Sequence, residues 1–342
     1  MRSERVKEFL KRKNVIVSVR RYFIDATGAM ALGLFSSLLV GVIVQTAGDL
    51  TGVEFLIKFG QIAKQAMGPA ICIAIAYGLQ APPLVIFASA AVGFAAIQAE
   101  GGPVGCYLAA LIAAEIGKLV SKETKVDILV TPIVTLLTGV AVAIFVGPPI
   151  DKFMKWLGSG IEIATQLQPI PMGILVSVSM GLILTAPISS AAIAIMLNLG
   201  GLAAGAATVG CCAQMVGFAA ISYRDNGVSG IVAQGLGTSM LQVPNIVRNP
   251  FILIPPTVAG ALLGPIATTI LPMKNIPVGA GMGSCGLVGQ IGTISAMGVS
   301  AEVLIKIAVL HFILPVIISL LAAKIMVRKG LIKPGDMKLN AG

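Results

Sequence analysis

The stretch from Ile163 to Tyr223 is 61 residues long and contains no charged side chain. Because one crossing of a bilayer takes about 20 apolar residues, the stretch holds about three crossings. It nevertheless carries many amides and hydroxyls, namely Gln166, Gln168, Ser177, Ser179, Thr185, Ser189, Ser190, Asn198, Thr208 and Gln214. A segment that only anchored the chain would not need them. The stretch therefore predicts membrane helices along a polar path, with side chains such as Asn198 in one wall of it.

The composition extends this pattern to the whole chain. Hydrophobic residues make up 56% of the sequence, charged residues only 11%, and the mean hydropathy is +0.97. These values predict an all-α polytopic membrane protein, since a β-barrel would show alternating segments of about ten residues. With 40 Gly and 19 Pro, many helices are expected to be broken. Such breaks survive in a bilayer only where protein or a water-filled cavity satisfies the backbone.

The apolar runs predict about ten transmembrane helices. The expected crossings are 28–47, 64–80, 83–99, 104–121, 128–147, 171–186, 188–201, 203–221, 252–271 and 303–326. Composition divides the chain into a basic cytoplasmic or interfacial arm, a first transmembrane repeat, an interfacial amphipathic linker, a second transmembrane repeat and a cytoplasmic tail. These parts span 1–24, 25–149, 150–170, 171–326 and 327–342.

Two uncharged segments of the second repeat do not resemble plain crossings. Residues 226–247 contain several Gly and Gln residues and Pro244, and residues 277–298 are the most Gly-rich part of the chain. Both patterns favour re-entrant or broken segments. For 277–298 the alternative is close helix packing through small residues.

The placement of Lys and Arg predicts the orientation. With ten crossings, 18 of the 24 basic residues fall on the side of both termini, which the positive-inside rule assigns to the cytoplasm. The net charge of +10 is therefore interpreted as membrane orientation. No basic patch interleaved with aromatic residues is present, so a nucleic-acid partner is not expected.

Short motifs recur in the two halves. Residues 78–82 resemble 181–187, since both end a Gly-Leu run in Ala-Pro, and residues 128–132 resemble 252–256 around paired Pro positions. Repeats with helices interrupted by Gly and Pro are the usual architecture of transporters, which bind their solute near the membrane midplane. The motifs predict two structural repeats, parallel or inverted.

A few polar residues in apolar surroundings are candidates for solute binding. Charges and amides at such positions are costly and are by default functional hypotheses. An amide offers donors and acceptors at once and suits a polyhydroxyl solute, and a histidine can hydrogen-bond a hydroxyl or relay a proton. The candidates are Gln98, Glu100, Asn198, Gln234, Gln242, Asn245 and His311.

Other residues have structural interpretations. Glu115 and Lys118 are expected to form an ordinary pair on a helix face near the membrane surface. The five cysteines lie in apolar contexts without metal-ligand spacing. No P-loop, zinc-protease helix or nucleophile elbow is present. The sequence therefore predicts no cofactor, no metal and no catalytic residue.

Four features besides the basic N-terminal arm carry a resemblance to a known family: Gly-Leu-Gln-Ala-Pro-Pro at 78–83, Gln-Ala-Glu-Gly-Gly-Pro at 98–103, Gln-Val-Pro-Asn at 242–245 and the Gly-rich run 279–292. With these features the chain resembles the membrane (IIC) subunit of bacterial phosphotransferase-system sugar permeases, and within them the stand-alone group that includes perfringolysin-regulator-type proteins.

The resemblance implies a multi-pass protein of the bacterial plasma membrane. It further implies about ten helices, re-entrant hairpins, a homodimer and elevator-like movement of a sugar site. In such permeases a Glu near a hairpin and a His bind the sugar, and Glu100 and His311 match these roles. A IIB domain phosphorylates the sugar, so separate IIA and IIB subunits are implied partners.

Three functions therefore stay open at this level. The first is a IIC-type permease that moves a sugar or similar solute by alternating access. The second is an ion-coupled secondary transporter on the same scaffold. The third is a membrane sensor that binds a solute and regulates a cytoplasmic partner without transport.

Overall fold

The structure is a computed structural model that describes residues 8–18 and 20–339, without the side chains at positions 39, 50, 192 and 196. The start of the basic arm and the last residues of the tail lie outside the described residues. Throughout the described part the chain forms helices and loops, and its one β-bridge joins Gly201 to Asn275. The predicted all-α class is confirmed.

The principal helices are numbered in chain order. They are α1 Arg20–Asp49, α2 Glu54–Gln65, α3 Met67–Gly78, α4 Pro83–Gln98, α5 Gly102–Val120, α6 Asp127–Thr165, α7 Pro169–Thr185, α8 Ser190–Met196, α9 Gly201–Ile221, α10 Tyr223–Val232, α11 Val243–Arg248, α12 Pro250–Thr268, α13 Val288–Met297 and α14 Ala301–Arg328.

Among the described residues six helices are long and apolar enough to cross a membrane, namely α1, α5, α6, α9, α12 and α14. Shorter apolar helices are α3, α4, α7 and Cys285–Met297, which ends as α13. The polytopic class is therefore confirmed, and the number of ten crossings stays a prediction. The expected crossing at 188–201 is wrong, because α8 has only seven residues and the chain turns again at Leu197.

The chain divides into two compact units. The first comprises Met1–Gly41 and Ile62–Phe153, and the second comprises Val42–Gln61 and Met154–Gly342. The division between the units near Phe153 falls within the segment expected to be a linker. No sequence pattern predicted that Val42–Gln61 would belong to the second unit.

In the first unit α3 packs against α1, α4 and α5. The crossing of α3 and α4 depends on two glycines, because a Cβ atom on Gly93 would lie 2.2 Å from the carbonyl oxygen of Gly68. Similarly, a Cβ atom on Gly139 of α6 would lie 2.4 Å from Val92 of α4. Small residues thus let these backbones approach closely, as is usual between membrane helices.

Helix α6 is continuous over 39 residues and includes most of the expected linker. At 1.5 Å per residue it is about 58 Å long, almost twice the hydrocarbon thickness of about 30 Å. Its last part exposes Trp156 by 67% and Phe153 by 49%. Aromatic residues of this kind are enriched at membrane interfaces.

The second unit has a three-helix core of α7, α9 and α12, with α14 packed on α9 and α12. Helix α9 is central, and nearly all of its side chains are buried. It can be central because it consists mainly of Gly, Ala and other small residues. A Cβ atom on Gly210, for example, would lie 1.9 Å from the carbonyl oxygen of Ser177 on α7.

Both segments that were expected to be broken are broken. Residues 226–247 contain a kink at Gly227, a π-helical stretch Ala233–Gly237 and a 3-10 turn Ser239–Gln242. Residues 277–298 form Pro277–Ala280, a tight turn and then α13. In that turn Gly283 and Gly286 have φ values of +55° and +52°, which favour glycine. A close approach accompanies the second break, since Gly289 donates its N–H to the carbonyl of Gly283 at 3.0 Å.

Candidate functional site

A buried polar cluster in the second unit joins three helices. Gln290 of α13 has its Nε2 atom 3.1 Å from Nδ1 of His311 on α14, and the same nitrogen donates to Sγ of Cys212 on α9 at 3.4 Å. His311 is fully buried and Gln290 is 6% exposed. The cluster therefore lies inside the helix bundle of this unit.

Two polar atoms of this cluster have no hydrogen-bond partner within the described chain. They are Oε1 of Gln290 and Nε2 of His311. An amide nitrogen can only donate, so Nδ1 of the neutral imidazole accepts and Nε2 carries the proton. One free acceptor and one free donor thus belong to the same cluster. A hydroxyl group both donates and accepts, and it would satisfy both atoms.

Local backbone irregularities present these two side chains. His311 lies in a π-helical stretch, Ala308–Ile313, in the middle of α14. Such wide turns interrupt the regular ladder and are frequent at functional sites. Gln290 lies in the first turn of α13, directly after the left-handed residue Leu287. Unsatisfied buried polar atoms cost about 1–3 kcal/mol each. The buried hydroxyl of Ser319, also on α14, lacks a partner among the described residues as well, and the Gln290–His311 cluster differs from it in bringing two such side chains together.

A neighbouring polar network of the same unit is satisfied. Gln214 of α9 donates to Thr257 of α12 at 2.9 Å, and its Oε1 atom accepts from Thr185 at 3.3 Å. Thr185 also lies 2.8 Å from the hydroxyl of Ser239. Thr185 belongs to the uncharged stretch and ends α7 just before the Ala-Pro pair at 186–187. Its contact with Ser239 therefore connects the end of α7 to the broken segment 226–247.

The structure brings three of the candidate amides together. Gln242 donates to Oε1 of Gln234 at 2.8 Å, and Asn245 donates to Oε1 of Gln242 at 2.8 Å. Their remaining N–H groups bind the C-terminal segment, since Gln242 donates to the carbonyl of Met337 and Asn245 to that of Lys338, each at 3.0 Å. We call Gln234, Gln242 and Asn245 the amide ladder. In this conformation the donors of Gln242 and Asn245 hold the tail of the chain, and Gln234 donates to Ser222 and to the carbonyl of Gly230.

Asn198 lies apart from the ladder. It has a φ of +46°, follows α8 and is exposed. It lines a cavity of about 520 Å³ together with Glu162 and Thr165 of α6 and the start of α7 and α9. This cavity is open, and its lining combines these three polar side chains with mostly apolar ones, whereas the cluster around His311 is closed.

Gln98 and Glu100 belong to the first unit, at the end of α4. Both side chains are exposed. Glu100 has a φ of +59°, and its backbone N–H donates to the carbonyl of Ile97 at 3.0 Å. The turn at 99–101 therefore presents a free carboxylate, as the Gly-Gly-Pro sequence after it suggested. The seven candidates thus fall in both units.

Sequence reasoning missed Gln290, because it treated the Gly-rich segment as backbone only. The available signal was the single amide in that segment. The expected pair of Glu115 and Lys118 on one helix face is present, but it is not an ordinary one, since it is buried and Lys118 is only 2% exposed. Its Nζ atom donates to Glu115 at 2.9 Å and to the carbonyls of Asn14 at 3.0 Å and Leu79 at 3.2 Å. The pair therefore fastens the basic arm to the first unit.

A second contact of the arm involves Glu123. Lys13 pairs with its Oε1 atom at 2.5 Å and Arg12 at 2.9 Å. The hydrogen bond from Lys13, which is the largest cause, and the nearby charge of Arg12 hold the pKa of Glu123 below its ordinary value. The arm is thus docked by an ionised carboxylate at neutral pH.

No group of three or more His, Cys, Asp or Glu side chains is arranged to hold a metal ion in the part of the chain that the structure describes. The family model described as "Phosphotransferase system, EIIC" matches residues 24–339. Comparisons with curated proteins and with solved structures found no match.

Proposed function

Because the chain belongs to the EIIC family of the phosphotransferase system, which makes it a membrane subunit of a sugar permease, we propose that it carries its sugar by alternating access. The family match over 24–339 and the six long apolar helices support this. The helices interrupted at 226–247 and 277–298 support it as well, since broken helices are typical of alternating-access carriers. In this proposal the protein works in the bacterial membrane as a homodimer, and both termini of each chain lie in the cytoplasm.

One observation carries the proposed sugar site. Oε1 of Gln290 and Nε2 of His311 are buried without partners. Nε2–H of His311 donates to a sugar hydroxyl, and Oε1 of Gln290 accepts from one. A sugar that supplies both bonds removes two desolvation penalties, so its affinity depends on hydroxyls in the right positions.

Glu100 and Gln98 form a second proposed contact, within the first unit. A free carboxylate accepts from two adjacent sugar hydroxyls, and an amide both donates and accepts. Asn198 contributes from its open cavity, where the solute is still hydrated. The amide ladder binds the sugar only in a conformation that the tail has left, because its N–H groups are otherwise engaged.

Phosphorylation of the sugar belongs to separate IIA and IIB subunits in this proposal. The candidate residues include no nucleophile with an adjacent general base, which covalent phosphate transfer requires. The role of this chain is to bind the sugar and to deliver it to the subunit that phosphorylates it.

A thermal-shift screen of the purified chain against sugars, polyols and small acids tests the site. We expect a sugar that raises the melting temperature of the wild type and of the Ser295→Ala control, whose hydroxyl lies on the exposed side of α13. His311→Ala and Glu100→Gln are expected to weaken that response at least tenfold in concentration. Unchanged responses in both variants would disprove the site.

Uptake measurements test the function itself. Vesicles containing the chain, supplied with its IIA and IIB subunits and the soluble phosphocarrier proteins, are expected to accumulate sugar phosphate only with phosphoenolpyruvate. Uptake that needs a proton or sodium gradient and no phosphoenolpyruvate would instead establish the ion-coupled transporter.

The tail contacts favour a second function, solute sensing. The ladder and Asn226, which donates to the carbonyl of Met337 at 2.8 Å, make the position of the tail depend on the interrupted segment. A solute that displaced the tail would signal to a partner without being transported. Binding in the thermal-shift screen with no uptake under either condition would support the sensor.

A further inference from the structure

A groove with a volume of about 820 Å³ lies between α9 and α14 in the second unit. Its wall is mostly aliphatic, with Val216, Val316 and Leu320 along its length. Its end is polar, with the side chains of Arg224, Lys324 and Arg328. The groove therefore has an apolar body and a cationic mouth.

The sequence places these residues in two matching stripes. Val316, Leu320, Lys324 and Arg328 are spaced four residues apart on α14, so they share one face of the helix. Each stripe changes from aliphatic to cationic in the same direction, since Val216, Ala220 and Arg224 follow the same spacing across the end of α9. From Val316 to Lys324 the stripe is about 12 Å long.

The three cations have no anionic partner within the described residues, which place all of them on the surface. Asp225, which follows Arg224 directly in the sequence, already has hydrogen-bond partners. Its carboxylate accepts from the backbone N–H groups of Gly335 at 3.0 Å and Met337 at 3.3 Å. Three positive charges at the end of an apolar groove are therefore left to pair with a ligand.

We propose that this groove binds one anionic phospholipid. The phosphate pairs with Arg224, Lys324 and Arg328, and an acyl chain lies along Val216, Val316 and Leu320. Basic pockets between transmembrane helices bind phospholipid headgroups in this way. A soluble anion would use the charges but would leave the aliphatic wall uncovered, including Leu320, which is 45% exposed.

The predicted orientation agrees with this ligand. It places the C-terminal end of α14 at the cytoplasmic leaflet, which attracts basic segments through its anionic lipids. Lys and Arg at such helix ends keep their stems in apolar surroundings while the charged groups reach the headgroups. The proposal is independent of the sugar site, because the groove is lined by none of the proposed sugar-binding residues.

Native mass spectrometry of the full-length chain in detergent tests the proposal. The probes are phosphatidylglycerol, phosphatidylcholine and glycerol phosphate. The test variant is Lys324→Ala/Arg328→Ala, and the matched control is Lys329→Ala, which removes one charge at the same helix end but does not line the groove. Thermal unfolding of each variant without lipid verifies that it is folded.

We expect the wild type and the control to bind phosphatidylglycerol more tightly than phosphatidylcholine. Each removed cation is expected to weaken that binding roughly fivefold, so the double variant loses about 25-fold. Equal binding of phosphatidylglycerol by the double variant would overturn the proposal.

Three other results would also overturn it. Equal affinity for phosphatidylcholine would show that the cations do not select the headgroup. Equally tight binding of glycerol phosphate would show that the groove is not used by an acyl chain. A dimer that the double variant alone abolishes would show that a second copy of the chain covers the groove.

Discussion

The Nε2 atom of Gln290 lies 3.1 Å from Nδ1 of His311, and both side chains keep one polar atom without a partner. This pair differs from the amide ladder, in which Gln234, Gln242 and Asn245 bond to each other and to the tail. Both groups are buried, and only the first has unused hydrogen-bonding capacity. The two groups are therefore expected to respond differently when their amides are replaced by apolar side chains.

Gln290→Leu/His311→Leu is expected to leave stability unchanged or to raise it. Replacing both partners by apolar groups of similar size removes two unsatisfied atoms, each of which costs about 1–3 kcal/mol. Gln234→Leu/Gln242→Leu is expected to lower stability by about 2–5 kcal/mol, because Ser222 loses its donor, Asn245 loses its acceptor and the carbonyl of Met337 loses one of its two donors. Thermal unfolding in detergent measures both. Equal losses in the two variants would contradict this distinction.

Gln242→Ala is expected to release the C-terminal segment. The carbonyl of Met337 then loses one of its two donors, and Asn245 loses the acceptor that orients it. Hydrogen exchange at residues 331–339 should become faster by about tenfold, in line with a loss of about 1–2 kcal/mol. Lys329→Ala serves as the control, since the side chain of Lys329 makes no hydrogen bond or ion pair with the described residues. Unchanged exchange in Gln242→Ala would show that Asp225 and Asn226 suffice.

Gly210→Ala is expected to destabilise the second unit, because the new Cβ atom would meet the backbone oxygen of Ser177 at 1.9 Å. Overpacking of this kind costs about 1–3 kcal/mol. Gly160→Ala provides the matched control, since no atom lies within 4 Å of its Cβ position. In that exposed part of α6 alanine is expected to be neutral or to stabilise by up to about 1 kcal/mol. Comparable melting temperatures for the two variants would contradict the close α7–α9 contact.

Docking of the basic arm is expected to depend on pH through Glu123. Its pKa is lowered in the folded state by the hydrogen bond from Lys13. The stabilisation is therefore complete above the unfolded pKa of the carboxyl group and is lost as the pH falls through the lower, folded pKa. A fluorophore on Lys11→Cys reports release of the arm as the pH falls below the ordinary pKa of a glutamate carboxyl group. Glu123→Gln should be released more readily at neutral pH and should lack this transition, so an identical pH profile in that variant would contradict the assignment.

The class of the protein could be predicted from composition alone. A chain with 11% charged residues and an uncharged run of 61 residues must place helices in a bilayer, because no other solvent tolerates so much apolar surface. The breaks at 226–247 and 277–298 could be predicted for a related reason. Gly and Pro act on the backbone of their own residue, and their effect is local.

The partners of the polar side chains could not be predicted. The ladder binds a tail about 95 residues further along the chain, and Gln290 meets a histidine 21 residues away on another helix. Such contacts depend on how closely helices approach, and this depends on glycines such as Gly210. Lys118 shows the same limit, since its spacing to Glu115 predicted their pair but not its contacts with the carbonyls of Asn14 and Leu79.

The sequence by itself determined the solvent in which this chain folds, the helical class, the places where helices break and its family. These properties follow from the transfer free energies and backbone preferences of single residues, which add along the chain. Only the tertiary structure decided which amides are satisfied and which are free. That distinction depends on distances of about 3 Å between residues far apart in sequence, and only the packing of the helices sets them.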